Sequence, residues 1–149
     1  VPWWWIFRMR KRTLSRELAL QVLYQLDLRD GDVLDEIEPL MKDVTQDPEV
    51  LDFAKELILG TWEHRTEIDS KIEQVAVNWE IRRMAAIDRN ILRLASFELL
   101  LREDIPPLVS INEGIDLAKK FSTRNSGPFV NGILDNLRLR CAPAAKQKK

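Results

Sequence analysis

Apolar residues return every three or four positions along most of this chain, and hardly any segment alternates with a period of two. That spacing limits the fold more than any other feature. Leu14, Leu18, Val22 and Leu26 recur at intervals of four, with Ala19 and Leu23 widening the stripe. Residues four apart share one face of an α-helix, so this run predicts an amphipathic helix of roughly four turns. Arg29-Asp30-Gly31-Asp32 ends it with turn residues. A shorter helical piece from Val33 is expected to break or kink near Pro39, which lacks an amide hydrogen.

Asp47-Pro48-Glu49 marks a second start, with Asp as cap, Pro at the first helical position and Glu in the first turn. From there Val50, Phe53, Ala54, Leu57, Ile58, Ile68, Ile72 and Val75 trace one stripe through a long helix, weakened but not ended by Gly60. Asn78-Trp79-Glu80 reads as a corner. Met84, Ile87, Ile91, Leu94, Ala95 and Leu99 form the next stripe, and Pro106-Pro107 closes that hairpin. Ser110-Ile111-Asn112-Glu113 has capping-box spacing and predicts the start of a helix carrying Ile115, Ala118 and Phe121. Ser122–Pro128 reads as a loop before a last helix bearing Phe129, Val130, Ile133, Leu134 and Leu137. The expectation is an all-α single domain of about six or seven helices packed as bundles.

Composition narrows the chemistry. At 149 residues and 45% apolar, the chain suits one domain with a sizeable core. No apolar stretch approaches the roughly 20 residues a membrane span needs, and Trp3–Phe7 is shorter than a signal-peptide core. Cys141 is the only cysteine, which excludes an internal disulfide and a thiolate metal cage and fits a cytoplasmic setting. The single histidine, His64, stands in a charged mid-helix context and reads as a solvated surface residue. The five glycines are scattered, so no phosphate-cradling loop is present, and no metal-ligand spacing occurs. An enzyme is not expected, and neither a cofactor nor a metal.

The net charge of −1 hides a segregated distribution. Residues 1–16 carry five basic side chains and no acid, residues 17–80 carry 17 acids against 5 bases, and residues 81–149 carry 13 bases against 7 acids. A basic lead-in on an acidic body suggests a polyanion at one end and a cationic partner elsewhere. Arg10, Lys11, Arg12 and Arg16 are the candidate polyanion contacts, since guanidinium groups pair with phosphates and stack on unpaired bases. A second candidate is the stretch Asn125–Gly132, where Asn125 and Ser126 offer hydrogen-bonding groups and Phe129 a ring for stacking. The plainer duty of these residues is structural: Asn125 or Ser126 capping the last helix and Phe129 filling the core.

Taken together, "SRELALQVLYQLDL" (15–28), "IDRNILRLASFELL" (87–100), "DIPPLVSINEGIDLAKKF" (104–121) and "NSGPFVNGILDNL" (125–137) resemble the NusB family of bacterial transcription antitermination factors. The resemblance is specific in the second half and rests on helical pattern alone across 29–76. It implies an all-helical fold of two small bundles. It also implies a non-catalytic protein that binds the boxA segment of nascent ribosomal RNA together with NusE, a ribosomal protein, and helps assemble a termination-resistant RNA polymerase complex. By position, Arg12 and Arg16 with the adjoining Arg10 and Lys11 match the family's arginine-rich RNA-binding start, and Asn125, Ser126 and Phe129 match its second RNA-lining segment. Asp88 and Tyr24 match the face that meets NusE. Two departures stand out: Asn125 replaces a common acid, and Pro128 replaces a common lysine. The resemblance also leaves two other roles open, an RNA-targeting module for a ribosomal RNA methyltransferase and a homodimeric helical scaffold.

The resemblance begins at about Arg10. Residues 1–9 are therefore expected to be a non-family extension without order, with Met9 as the natural start and the tryptophans incidental. Residues 10–140 are expected to form the RNA-binding domain, and residues 141–149 a disordered basic tail.

Overall fold

A computed structural model describes residues 2–147, and every regular element among them is helical. The eight α-helices exceed the expected number by one or two. Four-residue α8 accounts for one of them, and the splitting of a predicted long helix for another. The chain divides into two compact units, the boundary falling between Leu59 and Gly60.

In the first unit, α1 runs from Trp3 to Leu28. It ends where Asp30 (φ 52°) and Gly31 (φ 85°) adopt left-handed backbone and the Gly31 N–H donates to the Leu26 carbonyl at 2.8 Å. Leu18, Ala19, Val22, Leu23 and Leu26 are buried as the spacing predicts. Leu14 is 54% exposed and Leu20 is buried, so the covered arc is wider than one stripe and begins a turn later. Trp3–Met9 belongs to the same helix, in place of the expected disorder. Arg8 and Met9 are good helix formers, and none of the seven is Gly or Pro.

A 3-10 turn at Leu34–Glu36 leads into α2 (Ile37–Val44). Pro39 is the third residue of α2, where an amide has no acceptor within the helix, so it neither breaks nor kinks it. Helix α3 (Pro48–Glu63) starts as predicted: the Glu49 N–H donates to Asp47 Oδ1 at 3.0 Å, with Pro48 at the first helical position.

In the second unit, the predicted long helix is interrupted at His64, whose backbone (φ −101°, ψ 12°) leaves the helical region before α4 (Arg65–Val75). Helix α5 (Ala86–Leu101) packs against α4, α6 (Pro107–Phe121) and α7 (Ser126–Cys141). Every residue of α5 from Asn90 to Leu99 is buried, as a core helix requires. Arg93 makes a two-pronged ion pair with Asp69 of α4, at 2.8 and 2.7 Å.

The capping box at Ser110 is not used. Helix α6 begins a turn earlier with Pro107 in the favoured first position, and Ser110 is buried, donating its hydroxyl to Glu98 Oε1 at 3.1 Å. Helix α7 likewise begins before the predicted point. Ser126, Gly127 and Pro128 form its first turn, leaving Ser122–Asn125 as the loop. The tail is ordered as far as it is described: Ala144–Gln147 forms α8, and the buried Lys146 ammonium donates to the carbonyls of Glu98 and Arg102 at the end of α5. Lys148 and Lys149 of the expected basic tail lie outside the described residues. Among the described residues, no helix is long and apolar enough to cross a membrane.

Candidate nucleic-acid interface

The first candidate surface is the leading half of α1, in the first unit. It presents Arg8, Arg10, Lys11 and Arg12 with no acid in the first turn. Arg8 and Arg10 are exposed. The Arg12 guanidinium sits 4.3 Å from the centroid of the Phe53 ring, and a guanidinium stacked by its face keeps its N–H edges for phosphate.

Lys11 is partly compensated, with Nζ 3.1 Å from Asp47 Oδ2 and 3.5 Å from Glu49 Oε2. The hydrogen bond to Asp47 raises the Lys11 pKa above the usual lysine range, and the same bond lowers that of Asp47. Ser15 fixes this end of the helix in place: its hydroxyl lies 2.8 Å from the Val50 carbonyl of α3 and 3.0 Å from the Lys11 carbonyl.

Arg16 is different. It is 2% exposed, with its guanidinium 5.4 Å from the Phe53 centroid, so its head is packed inside the protein. The structure therefore places Arg10, Lys11 and Arg12 at the surface and makes Arg16 a support for them. Sequence alone does not reveal this burial, because an arginine within a basic block carries only the signal of its charge. Tyr24 is half-buried on the same helix, twelve residues and about 18 Å beyond Arg12, a separate patch from the arginines.

The second candidate surface lies in the second unit, where the α6–α7 loop meets the start of α5. Asp88, in the first turn of α5, accepts hydrogen bonds from the Ser122 hydroxyl (2.6 Å) and the Ser126 hydroxyl (3.1 Å). Ser126 Oγ also lies 2.9 Å from Ser122 Oγ and 3.0 Å from Thr123 Oγ1. This cluster ties the loop to α5 at a point where Ser126 is 2% exposed. Ser126 is thus committed to the interior, and Asn125 beside it is the exposed polar group. No side chain of Asn125 or Ser126 caps α7.

Phe129 is half-buried, packed edge-to-face against Trp79 with ring centroids 5.3 Å apart. Trp79, Asp88, Asn125 and Phe129 help line a cleft of about 210 Å³. Asp88, which the resemblance assigns to the NusE face, also joins Ser126 in this network. Trp79 is the residue that sequence reasoning missed. Its signal was an exposed aromatic in the Asn78 corner, where φ is 69°. Pro128 stands in the first turn of α7, where its missing N–H has no helical acceptor to lose.

Among the described residues no group of His, Cys, Asp and Glu is arranged to hold a metal ion.

Comparisons with known proteins agree with the geometry. A family model described as the NusB family matches residues 13–138. The transcription antitermination protein NusB of Geobacter sulfurreducens is 48% identical over 134 residues, covering 87% of this chain and 94% of that one. Its namesake from Syntrophus aciditrophicus is 46% identical over 129 residues, 87% of this chain and 80% of its own. Among solved structures, NusB of T. maritima superposes with a TM-score of 0.80 at 36% identity, over 91% of this chain and 95% of that one. A chain from a complex of antitermination factors NusB and NusE with double-stranded RNA superposes with a TM-score of 0.79 at 32% identity, over 87% and 96%.

Proposed function

The chain belongs to the NusB family of transcription antitermination proteins, and from that premise we propose that it binds boxA RNA of nascent ribosomal transcripts as a heterodimer with NusE. In that role it is a regulator and not an enzyme, and it works in the cytoplasm within a termination-resistant RNA polymerase complex. The observation that carries the reading is the acid-free basic start of α1, with Arg10 exposed and Arg12 supported on Phe53. Arg10, Lys11 and Arg12 hold phosphates there, and Arg16 keeps the helix seated. Asn125 and Phe129 supply a second contact, for which the Asp88–Ser122–Ser126 network sets the loop. Tyr24, and the exposed flank of Asp88, serve the NusE contact.

A mobility-shift titration over a salt series tests this. Three phosphate contacts to a single strand predict a slope of log affinity against log salt of about −2. Arg10→Ala with Arg12→Ala should lower that slope by about 1.4 and weaken boxA binding. Equal affinity for boxA and a scrambled RNA, or an unchanged slope in the double variant, would overturn the proposal.

A further inference from the structure

The first turn and a half of α1 is a row of aromatic side chains that the proposed boxA contacts do not use. Trp3 is 71% exposed, Trp4 54% and Phe7 55%. Trp3 and Phe7, one turn apart, hold each other edge-to-face at 5.6 Å and 90°. With Trp4, Arg8, Lys11 and Glu49 they line a cleft of about 450 Å³. Its walls are aromatic and two cations sit at one end. Its single acid, Glu49, is balanced by Lys11 at 3.5 Å.

We infer that Trp3–Arg8 is a stacking platform for unpaired RNA nucleotides flanking the segment held by Arg10, Lys11 and Arg12. Three features favour this occupant. The cleft combines ring faces for bases with guanidinium and ammonium groups for phosphates, the two elements of sequence-tolerant single-strand binding. The platform continues the basic patch on one helix, so a strand can pass from one to the other without a break. Trp3 to Arg10 spans about 10 Å along the helix axis, the rise of roughly three stacked nucleotides.

A membrane surface fits less well. A helix lying in a bilayer interface needs an apolar face opposite a polar one. Five consecutive apolar residues, Trp3–Phe7, turn through about 100° each and circle the helix instead.

The inference rests on the proposed RNA-binding role, and the test separates the two. Three RNAs are titrated into the full chain: a boxA core, the same core flanked on each side by six unpaired adenosines, and oligoadenosine alone. Binding of the flanked core should be about tenfold tighter than that of the core. Trp3→Ala with Phe7→Ala should abolish that gain and leave core affinity unchanged. Oligoadenosine should quench tryptophan emission of the unaltered protein, a readout independent of whether the variant folds.

If the core does not bind while oligoadenosine still quenches, the boxA reading fails and the platform stands. If the core binds but flanking adenosines add nothing, or the variant keeps the gain, the platform is wrong. Phosphatidylglycerol vesicles form a further arm. Binding to them that the variant loses, with no gain from flanking RNA, would assign the segment to membrane and overturn the inference.

Discussion

Asp88→Ala separates two roles for one carboxylate. Two hydroxyls converge on it at 2.6 and 3.1 Å, from Ser122 and Ser126. A hydrogen bond to a charged acceptor contributes about 1.5–3 kcal/mol when buried. Asp88 is half-exposed, so water replaces part of that, and Ser126 keeps contacts to Ser122 and Thr123 after the change. A carboxylate in the first turn of α5 adds about 0.3–1 kcal/mol through the helix dipole. The expected loss is about 2 kcal/mol for Asp88→Ala and about half of that for Asp88→Asn, which retains one acceptor oxygen.

Urea denaturation measures both, and a cycle with Ser126→Ala should show a coupling of about 1 kcal/mol. The same cycle read through RNA affinity should be non-additive, because both residues act by setting Asn125 and Phe129. A loss below about 0.5 kcal/mol, or additivity within about 0.3 kcal/mol, would refute the network as the loop's anchor. If Asp88→Ala instead left stability intact and removed only NusE binding, the carboxylate would be a partner contact alone.

Other outcomes follow from the packing. A Cβ placed on Gly60 would stand within 2.8 Å of three carbons of the buried Phe97 ring, so Gly60→Ala should destabilise by about 1–3 kcal/mol despite alanine's better helix propensity. A Gly60→Ala protein as stable as the parent in thermal melts would contradict that placement. Asp69→Ala leaves Arg93 without its two-pronged partner on a largely buried surface, and should cost about 3 kcal/mol by urea titration.

The Lys11–Asp47 pair sets a pH window whose sign is fixed by its shifts. Asp47 is depressed, so its contribution is present above its unfolded value and is lost as pH falls through the folded one. Lys11 is raised, so its contribution is present below its unfolded value and is lost as pH rises through the folded one. Lys11→Ala should move Asp47 up toward an ordinary carboxyl in an NMR titration, and an unmoved Asp47 would show the pair is not formed in solution.

Helix existence was legible in the sequence because burial periodicity is a local property. Leu18, Val22 and Leu26, the Asp47-Pro48 start and the α5 stripe all appear where spacing put them. Boundaries were harder, since they depend on competing uses of the same side chain. Ser110 has the spacing of a cap, but Glu98 on a neighbouring helix takes its hydroxyl. His64 ends α3 although nothing in its residue type breaks helices. The basic start of α1 was legible as charge, whereas the burial of Arg16 needed three dimensions. Asp88 and Ser126 are 38 residues apart, so their shared network left no mark in local pattern. Trp3–Met9, outside the family match, offered a composition alone, and only the helix shows the rings and cations as one surface.

The central claim is that RNA and NusE bind this chain cooperatively. Fluorescence anisotropy of labelled boxA RNA, titrated with the protein alone and with saturating NusE, tests it most directly. The account predicts tightening of at least about fivefold with NusE, and linkage requires RNA to tighten NusE binding by the same factor. An RNA affinity unchanged by NusE would contradict it.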